Sequence, residues 1–98
     1  MTDVQLTENE KQIIKNILKT HCKNTKVFAF GSRVNGNAKP YSDLDLVVKS
    51  DGVFELADIA NLKEAFANSD LVFKVDICDW RSLGNDFKKS IENELVLI

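Results

Sequence analysis

Two cysteines, Cys22 and Cys78, are all that this chain of 98 residues carries, and they stand without C-x-x-C spacing or clustered histidine. A zinc site or a disulfide framework therefore has no basis, and both thiols read as small buried hydrophobes. Charge of one sign is missing as well: thirteen basic side chains face fifteen acidic ones, for a formal net charge of -2. That leaves no wide basic footprint, so stable nucleic-acid binding is not expected. No apolar run is long enough to span a bilayer, and the opening MTDVQLTENE lacks the basic start and apolar core of a secretion signal. The chain reads as cytoplasmic, with no membrane partner. The pattern G-x-x-x-x-G-K-[ST] is absent too, which excludes a P-loop ATPase. With one proline and four glycines there are no linkers, repeats or low-complexity tracts. Residues 1–98 read as a single domain, too small to hold a catalytic domain and a separate substrate domain.

What is present is an ordinary globular composition, 44% hydrophobic and 29% charged, which should fold around one core. Thr7 to Glu10 spells T-x-x-E, a capping box, and Ile13, Ile14, Ile17 and Leu18 follow at helical spacing, so a first helix is predicted from Glu8 to His21. TKVFAF, Thr25 to Phe30, is β-branched and aromatic and predicts a buried strand. RVNGNAKPYS (33–42) reads as one short helical turn and a loop. DLDLVVK, Asp43 to Lys49, alternates as a second strand. After an Asp51-Gly52 turn, Leu56, Ile59, Ala60, Leu62, Lys63 and Phe66 describe an amphipathic helix ending near Ser69. LVFKVDICDW (71–80) is a third strand, and NDFKKSIENE a last helix with Phe87 and Ile91 facing inward. The closing LVLI could pair on a sheet edge. The order predicts an α/β (α+β) sandwich, a mixed β-sheet with helices packed on one face.

The chemistry concentrates in VFAFGSRVNGNAKPYSDLDLVV, residues 27–48. An apolar run stops at Gly31-Ser32, and the next apolar run opens with two anions, Asp43 and Asp45. Alternation along a strand puts Asp43, Asp45 and Val47 on one face and Leu44, Leu46 and Val48 on the other, which must be the core. On the third strand Phe73, Val75 and Ile77 form the apolar set, leaving Asp76 opposite. If the two strands are neighbours, three carboxylates meet on the uncovered face. Such a cluster repels itself unless a cation neutralises it or a proton is shared. Mg²⁺, a hard ion held by one or two carboxylates plus substrate phosphates, is the natural guest. Two such ions can hold the attacking and leaving oxygens of a phosphoryl displacement.

Gly31-Ser32 supplies the other side of the site. Glycine at a strand end permits close backbone approach, and the amides that follow, with the Ser32 hydroxyl, can hold anionic oxygens. D-x-D alone is weak and Gly-Ser weaker. Their composite, G-S-x10-D-x-D, should arise by chance in on the order of one chain per thousand at this length, with each fixed residue at roughly 5 to 7%. Asp79 competes with Asp76 as third carboxylate, but strand parity favours Asp76. Arg33 could contact phosphate or pair with an acidic neighbour, and Ser42 could cap the strand entry or bind nucleotide.

These residues resemble a family. GSRVNGNAKPYSDLDL is similar to the signature of the DNA polymerase β-like nucleotidyltransferase superfamily, and FKVDICDW to the strand carrying its third acidic residue. The short chain, the R-x-x-G after Gly-Ser and the ending VDICDW…DFKKSIENE resemble the minimal nucleotidyltransferases encoded beside a small all-helical HEPN-type protein. The resemblance implies that Gly31 and Ser32 bind the terminal phosphates of the nucleotide; Arg33 and Ser42, read from their positions, are further nucleotide-binding candidates. It implies that Asp43 and Asp45 bind both Mg²⁺ ions, and that Asp76 completes one metal site and helps activate the acceptor. It further implies an antitoxin that transfers AMP from ATP to a tyrosine hydroxyl of its HEPN-type toxin partner. Two alternatives stay open: transfer to a small molecule, disfavoured because the helical domain that would shape such a pocket is missing, and neutralisation of a toxin by binding alone.

Overall fold

The computed structural model describes residues 4–22, 25–50 and 55–98. Its first helix, α1 (Glu8–His21), begins at the predicted capping box. The Thr7 hydroxyl accepts the Glu10 amide at 3.1 Å, and Glu10 Oε1 accepts the Thr7 amide at 2.9 Å. Two amide donors that the first helical turn leaves unpaired are thereby satisfied. Ile14 and Leu18 are buried one turn apart.

Strand β1 (Lys26–Phe30) lies antiparallel to β2 (Leu44–Lys49), helix α2 (Leu56–Ala67) follows, and β3 (Val75–Asp79) returns parallel to β2. A 3-10 turn over Trp80–Ser82 leads to α3 (Asn85–Ile91), a second such turn (Glu92–Glu94) and β4 (Val96–Leu97), which pairs with β1. The sheet order is β3-β2-β1-β4. The predicted pairing of LVLI on a sheet edge is therefore realised on β1. The predicted Asp51-Gly52 turn lies outside the described residues. Among the described residues no helix is long and apolar enough to cross a membrane.

The main core forms where α1 and α2 meet one face of the sheet: Ile14, Leu18, Leu62 and Phe66 pack with Val27, Ala29, Leu44, Leu46, Val48 and Ile77. This is the predicted mixed sheet with helices on one face. The opposite face is not bare, however. Val47, at 0% exposure, is buried with Phe30 under Ile91, flanked by Trp80, Leu83 and Leu95. The C-terminal segment thus covers the lower part of the carboxylate face and leaves its strand-end rim open.

Three further expectations are corrected. The third strand begins at Val75 rather than Leu71: β3 pairs only with β2, whose strand starts at Leu44, so Leu71–Phe73 have no strand to pair with. Leu56, placed in the buried stripe of α2, is 88% exposed at the first turn. Phe87, expected inward, is 45% exposed, while Ile91 of the same helix is buried. Of the cysteines, Cys22 is buried and its thiol is pushed up to about 11, chiefly by burial. Cys78 is only half-buried, its Sγ donating to the Leu46 carbonyl at 3.5 Å.

Candidate active site

β1 ends at Phe30, and the chain turns through Gly31 with φ +85°, a conformation that L side chains rarely adopt. The Gly31 carbonyl accepts the amides of Val34 and Asn35 at 3.0 and 3.1 Å, closing the predicted single helical turn. A β-carbon on Gly31 would run into the Asp45 carboxylate, so the glycine is what lets the turn lie directly against that group.

Asp45 stands opposite Phe30 on β2 and in register with Asp76 on parallel β3. Side chains in register on adjacent strands share a face, about 5 Å apart at their β-carbons. Asp43 precedes β2 and is exposed, as is Asp76, while Asp45 is half-buried. Burial first, and then the charges of Asp76, Asp43 and Glu94, hold the Asp45 carboxyl above its ordinary 3.8. The expected mutual repulsion of Asp43, Asp45 and Asp76 is therefore felt at Asp45. Asp79 has a different occupation: it ends β3, and Arg81 pairs with both its oxygens, with Nη2 to Oδ2 at 2.8 Å. That pairing holds the Asp79 carboxyl below the usual range and leaves Asp76 as the third carboxylate at the rim.

Whether these groups suit a divalent cation is decided by their donor chemistry. They offer carboxylate oxygens only, the hard donors that Mg²⁺ takes, and burial together with the neighbouring charges disfavours ionisation of Asp45. Among the described residues no three acidic, histidine or cysteine side chains converge as a preformed cage. Mg²⁺ needs none, since substrate phosphates supply the remaining ligands.

Arg33 and Ser42, two of the predicted nucleotide-binding residues, make hydrogen bonds to the backbone around the 39–42 loop. Arg33, 4% exposed, spends its guanidinium on backbone carbonyls: Nε to Ser42 at 2.9 Å, Nη1 to Gln5 at 2.7 Å, Nη2 to Pro40 at 3.0 Å. Its plane lies 3.9 Å over the Phe73 ring. Backbone carbonyls rather than an acidic neighbour are what it pairs with here; it fastens the 39–42 loop, and through Ser42 it braces the residue before Asp43. Ser42 itself caps that loop, its hydroxyl accepting the Lys39 amide at 2.8 Å. Replacing Arg33 with alanine removes the group that those carbonyls share, so a stability loss of about 2–4 kcal/mol is expected in chemical denaturation. Arg33→Lys should recover only part of it, because one ammonium cannot reach carbonyls arranged around a planar fork.

One group at the site escaped the sequence. Glu94, on the turn after α3, accepts the Gly31 amide through Oε1 at 3.0 Å, across 63 residues of sequence. It anchors the glycine turn and adds a fourth negative charge near Asp45. Nothing local marks it, since ENE in an exposed helix end is an ordinary solvated run.

Beside Asp45 and Asp76 opens a cleft of about 640 Å³, bounded by Phe30, Lys63, Cys78, Leu83 and Phe87, a size typical of ligand sites.

Residues 12–98 match the polymerase beta nucleotidyltransferase family. The chain belongs to that family. Among nucleotidyltransferases it is similar to the probable protein adenylyltransferase MntA of Haemophilus influenzae, 41% identical over 95 residues that span 97% of this chain and 83% of that one. Its fold matches a crystal structure of a toxin–antitoxin with AMP-PNP at a TM-score of 0.72, with 22% identity over 89% of this chain and 70% of the other. It also matches a structure of tri-AMPylated Shewanella oneidensis HEPN toxin in complex with MNT antitoxin, at a TM-score of 0.64 and 26% identity, over 91% of this chain and 67% of that one.

Proposed function

We propose that this nucleotidyltransferase moves AMP from ATP to a tyrosine hydroxyl of a HEPN-type toxin and acts as its antitoxin. The observation that carries the reading is the register of Asp45 with Asp76 beside the Gly31-Ser32 turn, in a chain 41% identical to the probable protein adenylyltransferase MntA over nearly its whole length. The acceptor oxygen attacks the α-phosphorus, the bond to pyrophosphate breaks, and the hydroxyl proton departs toward Asp76 or solvent. Ser32 and the amides of its turn hold the terminal phosphates, and Glu94 keeps that turn in place. Asp43, Asp45 and Asp76 are the groups that would hold Mg²⁺. When bound, Mg²⁺ neutralises charge on the phosphates and the reacting oxygens. No covalent intermediate on the protein is needed, because catalysis here is positioning and charge neutralisation.

The test is intact-mass spectrometry of the HEPN-type partner after incubation with this chain, ATP and Mg²⁺. An AMP-sized gain, single or repeated, that disappears when Mg²⁺ is chelated is the expected result. A stable complex of the two chains with no mass gain would instead establish neutralisation by binding alone.

A further inference from the structure

Glu94 brings two things to the glycine turn, an acceptor oxygen and a negative charge, and its bond to Gly31 requires only the first. From the 3-10 turn Glu92–Glu94, its Oε1 accepts the Gly31 amide at 3.0 Å. A backbone N–H is a neutral donor, which a glutamine side chain, a hydroxyl or a backbone carbonyl would satisfy. A carboxylate is the costly acceptor at this place. Gly31 also lies directly against the Asp45 carboxylate, and Asp45 stands in register with Asp76. Two anions therefore approach one glycine, with a third on the neighbouring strand.

Nothing in the fold offsets the added charge. Among the described residues no lysine or arginine pairs with Glu94: the ion pairs are Lys11 with Glu8 and Arg81 with Asp79. Lys63 borders the cleft beside Asp45 and Asp76, but its charge acts on the Cys78 thiol, while the charges that act on Asp45 are those of Asp76, Asp43 and Glu94, all negative. A carboxylate that adds repulsion to the empty site, where a neutral oxygen would serve the turn, has its use when the site is loaded. Like charges gathered at one rim lower the energy of a divalent cation placed among them. Glu94 contributes to that field from behind the turn, with Oε1 committed to the Gly31 amide.

Resting on the adenylyl-transfer reading above, we infer that Glu94 is a positioning residue with two separable functions: its oxygen fixes the Gly31 turn for the phosphates, and its charge raises the affinity of Asp43, Asp45 and Asp76 for Mg²⁺. It acts through the turn and the three carboxylates, not on the reacting atoms.

Glu94→Gln keeps an acceptor oxygen and removes the charge, whereas Glu94→Ala removes both. AMP-PNP is titrated by calorimetry into wild-type chain and each variant over a series of Mg²⁺ concentrations. Glu94→Gln should need about tenfold more Mg²⁺ than wild type to reach half of its full AMP-PNP affinity, and should come within about twofold of wild type once Mg²⁺ saturates. Glu94→Ala should stay about fivefold weaker for AMP-PNP even at saturating Mg²⁺, because the turn has lost its anchor. An unchanged Mg²⁺ requirement in Glu94→Gln would reduce Glu94 to a hydrogen-bond acceptor and overturn the inference. A glutamine variant as weak as the alanine variant at saturating Mg²⁺ would show that the two functions cannot be separated, and a lowered Mg²⁺ requirement would show that the charge opposes loading; both overturn it. AMP-PNP binding needs neither the partner nor turnover, so these outcomes stand apart from the mass gain of the HEPN-type partner, which scores the adenylyl-transfer reading by itself.

Discussion

Asp45→Asn is expected to abolish AMP transfer while raising the melting temperature of the metal-free protein. The two effects share one cause. Asp45 is the carboxylate that burial and the charges of Asp76, Asp43 and Glu94 work against, so removing its charge relieves the folded chain. Asparagine keeps the shape and the position opposite Phe30 but gives a cation a neutral ligand where a charged one is needed. A loss on the order of a thousandfold in transfer corresponds to about 4 kcal/mol of transition-state stabilisation. Melting in EDTA should move upward by a few degrees, given that roughly 1 kcal/mol shifts a domain of this size by about 4–8 °C. The pH dependence has a definite sign. The Asp45 carboxyl is raised in the folded chain, so the folded state takes up its proton more readily than the unfolded one, and metal-free stability falls as pH rises from the ordinary 3.8 through the raised value. Asp45→Asn removes that contribution. A variant that lost activity and stability together would mean that Asp45 supports the fold rather than the chemistry.

Gly31→Ala is the second large effect, and it should cost both stability and transfer. The φ of +85° at this position alone costs an L residue about 1–2 kcal/mol. The new methyl group would also occupy the space of the Asp45 carboxylate. Asp45 cannot retreat without leaving the site, since its backbone is fixed between β1 and β3. A displacement on the order of 1 Å at a reacting centre lowers rate about a hundredfold. Gly36→Ala separates the two causes: its φ is +88°, but an added β-carbon there meets nothing within 4 Å. It should lose comparable stability in thermal melts and keep its transfer rate. Equal activity losses in the two variants would point to backbone conformation, not the contact with Asp45, as the functional requirement.

Much of the scaffold was legible because it is written in short-range patterns. The T-x-x-E box starts α1 where it was expected, since each of its two hydrogen bonds spans three residues. Alternation in DLDLVVK separates Leu44, Leu46 and Val48 from Asp45 by strand geometry alone. The meeting of Asp45 with Asp76 followed once the strands were taken as neighbours. The packing of Arg33 was not legible because two of its partners, Gln5 and Phe73, are far away in sequence. An arginine after Gly-Ser looks the same whether its guanidinium turns to a phosphate or inward to carbonyls. Ser42 was ambiguous for the same reason.

The sequence by itself determined the faces of β2, the buried stripe of α1, and where the chain must break at Gly31. Periodicity decides these, and periodicity is local. Only the tertiary structure decided what covers each face and which distant group closes the site. Ile91 over Val47, Phe87 against Phe30, and Glu94 on the Gly31 amide all depend on how the last fourteen residues, 85–98, return across the sheet. That return is set by β4 pairing with β1 and by the burial of Ile91, contacts between segments some 60 residues apart whose register no local pattern encodes.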